Sequence, residues 1–116
     1  MVVGLQRDEK TDLLFHALSD STRRDIIIRA MIDDFSVSGL ADFYAMSFAA
    51  VQKHVAVLER AGLITKHRRG REQLVRSNTD TIRSAYRLLE EIEKLWRRRI
   101  DLMGEILAEP DPGEDK

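Results

Sequence analysis

The sequence predicts a mainly α-helical domain, about five helices with a two-stranded β-hairpin placed before the last of them. Three observations predict it. Apolar residues recur at steps of three and four through most of the chain. One stretch, Leu63–Arg76, breaks that period, with two β-prone segments flanking Gly70. A long stripe at helical spacing then runs from Ile82 to Leu107.

The elements follow in order. A first helix is expected over Asp8–Leu18, with Leu14, Ala17 and Leu18 on one face and Leu13 and Phe15 widening it. Ser19 or Asp20 can cap a second helix, Thr22–Asp33. Its Ile26-Ile27-Ile28 run would also suit a buried strand, but the cap signal and the length of the apolar segment favour helix. Phe35–Ser38 reads as a short extended or capping segment, with Ser38 capping a third helix, Gly39–Tyr44, that turns Leu40 and Phe43 inward. Ala45-Met46 make the turn to a fourth helix, capped by Ser47, whose apolar face is Phe48, Val51, Val55 and Leu58. Gly62 is placed to stop it in the left-handed conformation.

Leu63–Lys66 and Gln73–Arg76 then flank the basic tip His67–Arg71 as a hairpin. Ser77, Asn78 and Thr79 break the chain, and Asp80 is a candidate cap for a long last helix, Asp80–Leu107. In that helix Ile82, Leu89, Trp96 and Met103 recur every seven residues, as do Ala85, Ile92 and the interrupting Arg99. So long a stripe is hard to bury against one small domain, and it points to pairing with a second copy of the chain. Residues 109–116 hold both prolines of the chain and four acids and are expected to be a disordered tail, leaving 1–108 as one domain.

Composition bounds the function. With 43% apolar and 34% charged residues the chain is globular rather than disordered. No apolar run approaches the ~20 residues needed to cross a bilayer, and no signal-peptide pattern opens the chain, so a cytoplasmic protein without a membrane partner is expected. With Cys 0, disulfides and thiolate metal sites are excluded. The net charge of −1 is unevenly spread: residues 51–76 carry seven basic and two acidic side chains, whereas residues 1–50 carry five and eight. The positive excess therefore sits in the fourth helix and hairpin, where a local patch can hold nucleic acid despite the global sum.

Two short helices joined by a few residues, the second with a polar outer face, match a helix-turn-helix. An α-helix fits the major groove of duplex DNA. Ser47, Ala49, Ala50, Gln52, Lys53 and His54 are the candidate reading residues: the alanines permit close approach, Gln52 suits adenine, Lys53 guanine or phosphate, and His54 can donate to phosphate. Lys66, Arg68, Arg69 and Arg71 of the hairpin would meet phosphate or the minor groove. The rival reading is a helical protein-interaction module that keeps this shape and works through its long C-terminal stripe. His16, His54 and His67 fall on three different elements, so no metal site is expected. No serine in a glycine-flanked elbow, phosphate-holding Gly-rich loop or isolated buried-looking acid pair suggests catalysis, and no cofactor is expected.

These residues carry a family resemblance. Leu14-Phe15-His16-Ala17-Leu18-Ser19-Asp20-Ser21-Thr22-Arg23-Arg24, then Ala50-Val51-Gln52-Lys53-His54-Val55, Leu58-Glu59-Arg60-Ala61-Gly62-Leu63-Ile64 and Arg69-Gly70-Arg71 resemble the ArsR family of winged helix-turn-helix transcriptional repressors. Ser21 stands where the family usually has proline. The resemblance implies a homodimer joined through the first and last helices, with Leu14, Leu18, Leu89, Ile92, Trp96 and Met103 at its interface, bound to a palindromic operator. Ser36 and Ser38 occupy the places of the family's metal-binding cysteines, and no histidine lies beyond residue 67, which implies a subgroup without metal ligands whose effector is unknown.

Overall fold

A computed structural model of the chain describes residues 9–108, so the expected tail at 109–116 and the start of the first helix at Asp8 lie outside the described residues. The elements are α1 (Glu9–Leu18), α2 (Ser21–Ile32), β1 (Phe35–Ser36), α3 (Val37–Ala41), α4 (Phe48–Arg60), β2 (Ile64–Arg69), β3 (Glu72–Ser77) and α5 (Thr79–Ala108).

Side-chain oxygens set most of the helix starts. Asp20 accepts from the Arg23 amide at 3.0 Å to open α2, and Ser47 accepts from the Ala50 amide at 3.1 Å to open α4. Two expected caps are displaced. Ser36, not Ser38, caps α3 by accepting from the Gly39 amide at 3.0 Å, so that helix starts two residues early and ends at Ala41. Asn78, not Asp80, receives an amide at the start of α5, that of Asp80 itself at 3.2 Å. At the other end of α4, Gly62 has φ +77; its amide donates to Glu59 O and the Leu63 amide to Leu58 O, both at 3.0 Å. That is the paired hydrogen-bond pattern of a Schellman stop, with Leu58 and Leu63 buried across it.

The chain divides after Ala85 into two units. In the first, Ala17 of α1, Ile26 of α2, Leu40 of α3 and Val51, Val55 and Leu58 of α4 are all fully buried, joined by Leu63, Ile64 and Val75 from the sheet side. The expected β2–β3 hairpin forms, and β1 adds a third strand beside β3, giving the antiparallel order β1-β3-β2 with Phe35 opposite Val75. The extended character of Phe35–Ser36 is legible locally, but its partner lies 40 residues away and sequence periodicity carries no such information.

Burial corrects several expected faces. The isoleucine run splits, with Ile26 and Ile27 inside and Ile28 54% exposed. Phe43 and Phe48, expected inside, are each 46% exposed. Phe43 instead stands edge-on to Phe35 with ring centroids 5.3 Å apart. Leu14, expected at a dimer interface, is only 6% exposed and belongs to the chain's own core; Leu18 is half-buried against that core. The exposed leucine of α1 is Leu13.

The second unit is helical from Tyr86 to Ala108. Leu89, Ile92, Trp96, Ile100 and Met103 are all exposed there, and Arg97 pairs with Glu93 one turn back at 3.2 Å.

Candidate nucleic-acid interface

The surface that concentrates positive charge is built by α4 and the β2–β3 hairpin. Burying Val51, Val55 and Leu58 on one face of α4 forces Ala49, Gln52, Lys53 and Ala56 outward, at the helical period. Ala50 is half-buried and Ser47 is exposed, its hydroxyl oxygen occupied as the cap. These positions leave a low wall of methyl groups with one amide and one ammonium projecting from it.

The hairpin is longer than the sequence implies. Its strands pair from Ile64 opposite Ser77 to Arg69 opposite Glu72, so Arg68 and Arg69 lie on strand β2 rather than in a loop. Only Gly70 and Arg71 remain as the turn, and Gly70 takes φ +63, as the first position of a type II′ hairpin turn requires. Arg68, Arg69 and Arg71 are exposed, with the Arg68 Nε donating to Gly70 O at 3.3 Å. Between α4 and the hairpin lies a cleft of about 310 Å³, with Gln52, Lys66, Arg71 and Gln73 on its walls.

Two expected contact residues are partly engaged within the chain. The Lys66 ammonium sits 3.4 Å from Glu59 Oε1, tying the hairpin to α4. His54 is half-buried, its Nδ1 3.1 Å from Nη1 of Arg23. Sequence reasoning gives Arg23 no role beyond membership of a motif, because its depth, 8% exposed, depends on three helices meeting.

A second polar cluster supports the turn that leads into α4. Tyr44 donates to Asp25 Oδ2 at 2.6 Å, the Arg29 Nε donates to the same oxygen at 2.7 Å, and the Arg29 guanidinium lies 3.8 Å from the centroid of the Phe43 ring. Burial, then the hydrogen bond to Asp25, pushes the Tyr44 hydroxyl up to about 12, while the Tyr44 and Arg29 hydrogen bonds hold the Asp25 carboxyl below its usual range.

Among the described residues no three His, Asp or Glu side chains converge as a metal site would require, and no helix is long and apolar enough to cross a membrane. Ser36 and Ser38 hold no such cluster; Ser36 is the α3 cap.

A helix-turn-helix followed by a basic antiparallel hairpin defines a winged helix-turn-helix module, the class of fold that lays one helix into duplex DNA and a wing beside it. No protein-family model matches the sequence. The chain is similar to the uncharacterized HTH-type transcriptional regulator YuzN of Bacillus subtilis, 31% identical over 85 residues, covering 63% of this chain and 87% of that protein. It is also similar to the transcriptional repressor SdpR of the same organism, 28% identical over 72 residues, covering 62% of this chain and 80% of that protein. A solved ArsR-like transcriptional regulator from Rhodococcus superposes with a TM-score of 0.76 at 32% identity, over 89% of this chain and 96% of that one. The chain belongs to the ArsR family of transcriptional regulators.

Proposed function

We propose that the protein is a dimeric repressor that occupies a palindromic operator. The observation that carries this reading is the opposition of faces on α4: Val51, Val55 and Leu58 are fully buried while Gln52 and Lys53 project beside a wing bearing Arg68, Arg69 and Arg71. In this reading the α4 N-terminal half enters the major groove, with Ala49 and Ala50 against thymine methyls, Gln52 on adenine and Lys53 on guanine or phosphate. The wing arginines take backbone phosphate or the adjacent minor groove, and Lys66, already paired with Glu59, adds less than they do. SdpR, the similar protein named as a repressor, supports the direction of regulation.

Dimerisation is part of the same proposal. The exposed Leu89, Ile92, Trp96 and Met103 share one face of α5, and a second copy offers the same face in return. A palindromic operator then follows from two-fold symmetry.

Titration of a labelled duplex with R69A/R71A protein tests the wing. Affinity should fall, and the slope of log affinity against log salt should shrink by about 0.9 for each phosphate the wing no longer neutralises. An unchanged slope removes the wing from DNA binding. Gln52→Ala should leave the slope alone and relax base preference at one position of each half-site, read by selection from a random pool.

A further inference from the structure

Arg23 is the one buried charged side chain among the described residues, and every arm of its guanidinium is used. Its Nε donates to Ala17 O at 2.9 Å and its Nη2 to His16 O at 3.0 Å. Both carbonyls belong to the last turn of α1, where unpaired carbonyls gather partial negative charge. The third arm, Nη1, reaches His54 Nδ1 on α4 at 3.1 Å. Asp20, whose Oδ1 takes the Arg23 amide, faces the same junction.

A guanidinium has donors and no acceptor, so the Arg23–His54 contact has only one polarity. Nδ1 must accept with its lone pair, which places the proton of the neutral ring on Nε2. Among the described residues no second hydrogen bond engages the His54 ring, and no buried side-chain nitrogen lacks a partner. The Nε2–H therefore faces solvent. On α4 it stands one residue from Lys53 and one turn beyond Ala50, on the flank of the helix that the proposed function lays into the groove.

We propose that Arg23 is a positioning residue of the DNA interface: by occupying Nδ1 it fixes the tautomer and ring orientation of His54, so that Nε2–H is presented as a donor to a backbone phosphate oxygen. The proposal rests on the DNA-binding reading above. It assigns to a residue outside α4 and outside the wing a part in setting a contact, and it gives His54 a neutral, directed hydrogen bond rather than a diffuse positive charge.

Long-range nitrogen–proton correlation spectra of the wild-type protein near neutral pH read the tautomer directly. The expected pattern is a protonated Nε2 and an unprotonated Nδ1; an Nδ1–H tautomer or an imidazolium overturns the proposal. R23K, which lacks the planar fork, should release the ring to a mixture of tautomers, and a spectrum unchanged from wild type would count against Arg23. Two His54 variants decide the contact even if R23K does not fold. H54N keeps an oxygen near the Nδ1 position for Arg23 and has nothing at Nε2, whereas H54Q carries an amide nitrogen to the Nε2 position. On a mixed-sequence duplex H54N should melt like wild type yet bind about fivefold weaker, the size of one missing hydrogen bond, with the salt slope unchanged. H54Q should recover most of that deficit. If wild type binds duplex and H54N binds equally well, the proposal falls while the DNA reading stands. If wild type binds no duplex at low salt, the DNA reading falls first and takes the proposal with it.

Discussion

Two amphipathic helices, α4 and α5, are built on the same periodicity and end in opposite circumstances. In α4 the apolar stripe is consumed by its own chain: Val51, Val55 and Leu58 are fully buried and the polar face is what remains on display. In α5, past Ala85, the stripe itself is displayed, with Leu89, Ile92, Trp96, Ile100 and Met103 all about half exposed or more. A helix whose apolar face is satisfied offers its polar groups to a polar partner. A helix whose apolar face is unsatisfied has only that face to offer, and water is a poor occupant for it. In the proposed function the same sequence pattern thus serves recognition in one place and assembly in the other. What decides between them is whether the rest of the chain supplies a matching surface.

The sharpest way to break that contrast is to truncate one large residue on each stripe. Leu58→Ala should cost about 2–5 kcal/mol of folding stability, because the side chain is fully buried and the cavity it leaves is closed only in part by relaxation. Trp96→Ala should leave the folding stability of residues up to Ala85 within about 0.5 kcal/mol of wild type. It should instead raise the dimer dissociation constant by about thirtyfold, some 2 kcal/mol, since aromatic anchors dominate interfaces. Chemical denaturation followed beside sedimentation at several protein concentrations separates the two quantities. If Trp96→Ala leaves the concentration dependence untouched, the α5 stripe is not the dimer surface.

A smaller effect probes how α4 is stopped. Gly62 holds φ +77, and a Cβ there would meet the Thr81 hydroxyl at 3.4 Å, an ordinary contact. The cost of Gly62→Ala is therefore backbone strain rather than collision, about 1–2 kcal/mol. Thermal melting should show it. DNA affinity measured well below the melting transition should scarcely change, because the strain lies at the end of α4 remote from its cap. A marked fall in affinity would mean that the hairpin's placement relative to α4 depends on that one residue.

Most of the architecture is readable in the sequence, for an identifiable reason. The caps at Asp20 and Ser47, the stop at Gly62 and the periodicity of α4 and α5 are local properties, each decided within about one or two helical turns. What the sequence hides is mostly non-local. The strand at Phe35–Ser36 exists because Val75 and Leu74 pass beside it. The burial of Leu14 and the exposure of Phe48 depend on which neighbours reach them, and periodicity assigns a face without saying how deep it lies. On the candidate interface, the outward positions of Gln52, Lys53 and the wing arginines follow from charge and spacing. The engagement of His54 by Arg23 does not, since it needs α1, α2 and α4 to meet at one point. The α3 cap, Ser36 in place of Ser38, is the intermediate case, a local choice between two equivalent hydroxyls two residues apart.

The smallest predicted effect concerns how firmly α4 is held by its own unit, the support that the exposed part of α5 lacks. Tyr44, in the turn before α4, and Arg29 on α2 share a single carboxylate oxygen of Asp25 at 2.6 and 2.7 Å. Asp25 and Arg29 are 41% and 34% exposed, so solvent screens their ion pair and the Tyr44 hydrogen bond is the larger part of the cluster's worth. Tyr44→Phe should cost about 1 kcal/mol near neutral pH. The pH dependence gives the effect its signature. Tyr44 is pushed up to about 12, so the fold favours its neutral form; the stability this brings is complete below the ordinary tyrosine range and is lost as pH rises through that value. Asp25 is shifted down, so its contribution is present above the ordinary carboxylate range and is lost as pH falls below it. Denaturation midpoints of Y44F and wild type should therefore stand apart from mildly acidic to mildly alkaline pH and converge at the alkaline end, where the wild-type hydroxyl ionises beside a carboxylate. A gap between the two proteins that stays constant through the alkaline range would show that the hydroxyl contributes packing alone, and that α4 is held by its buried stripe without help from this cluster.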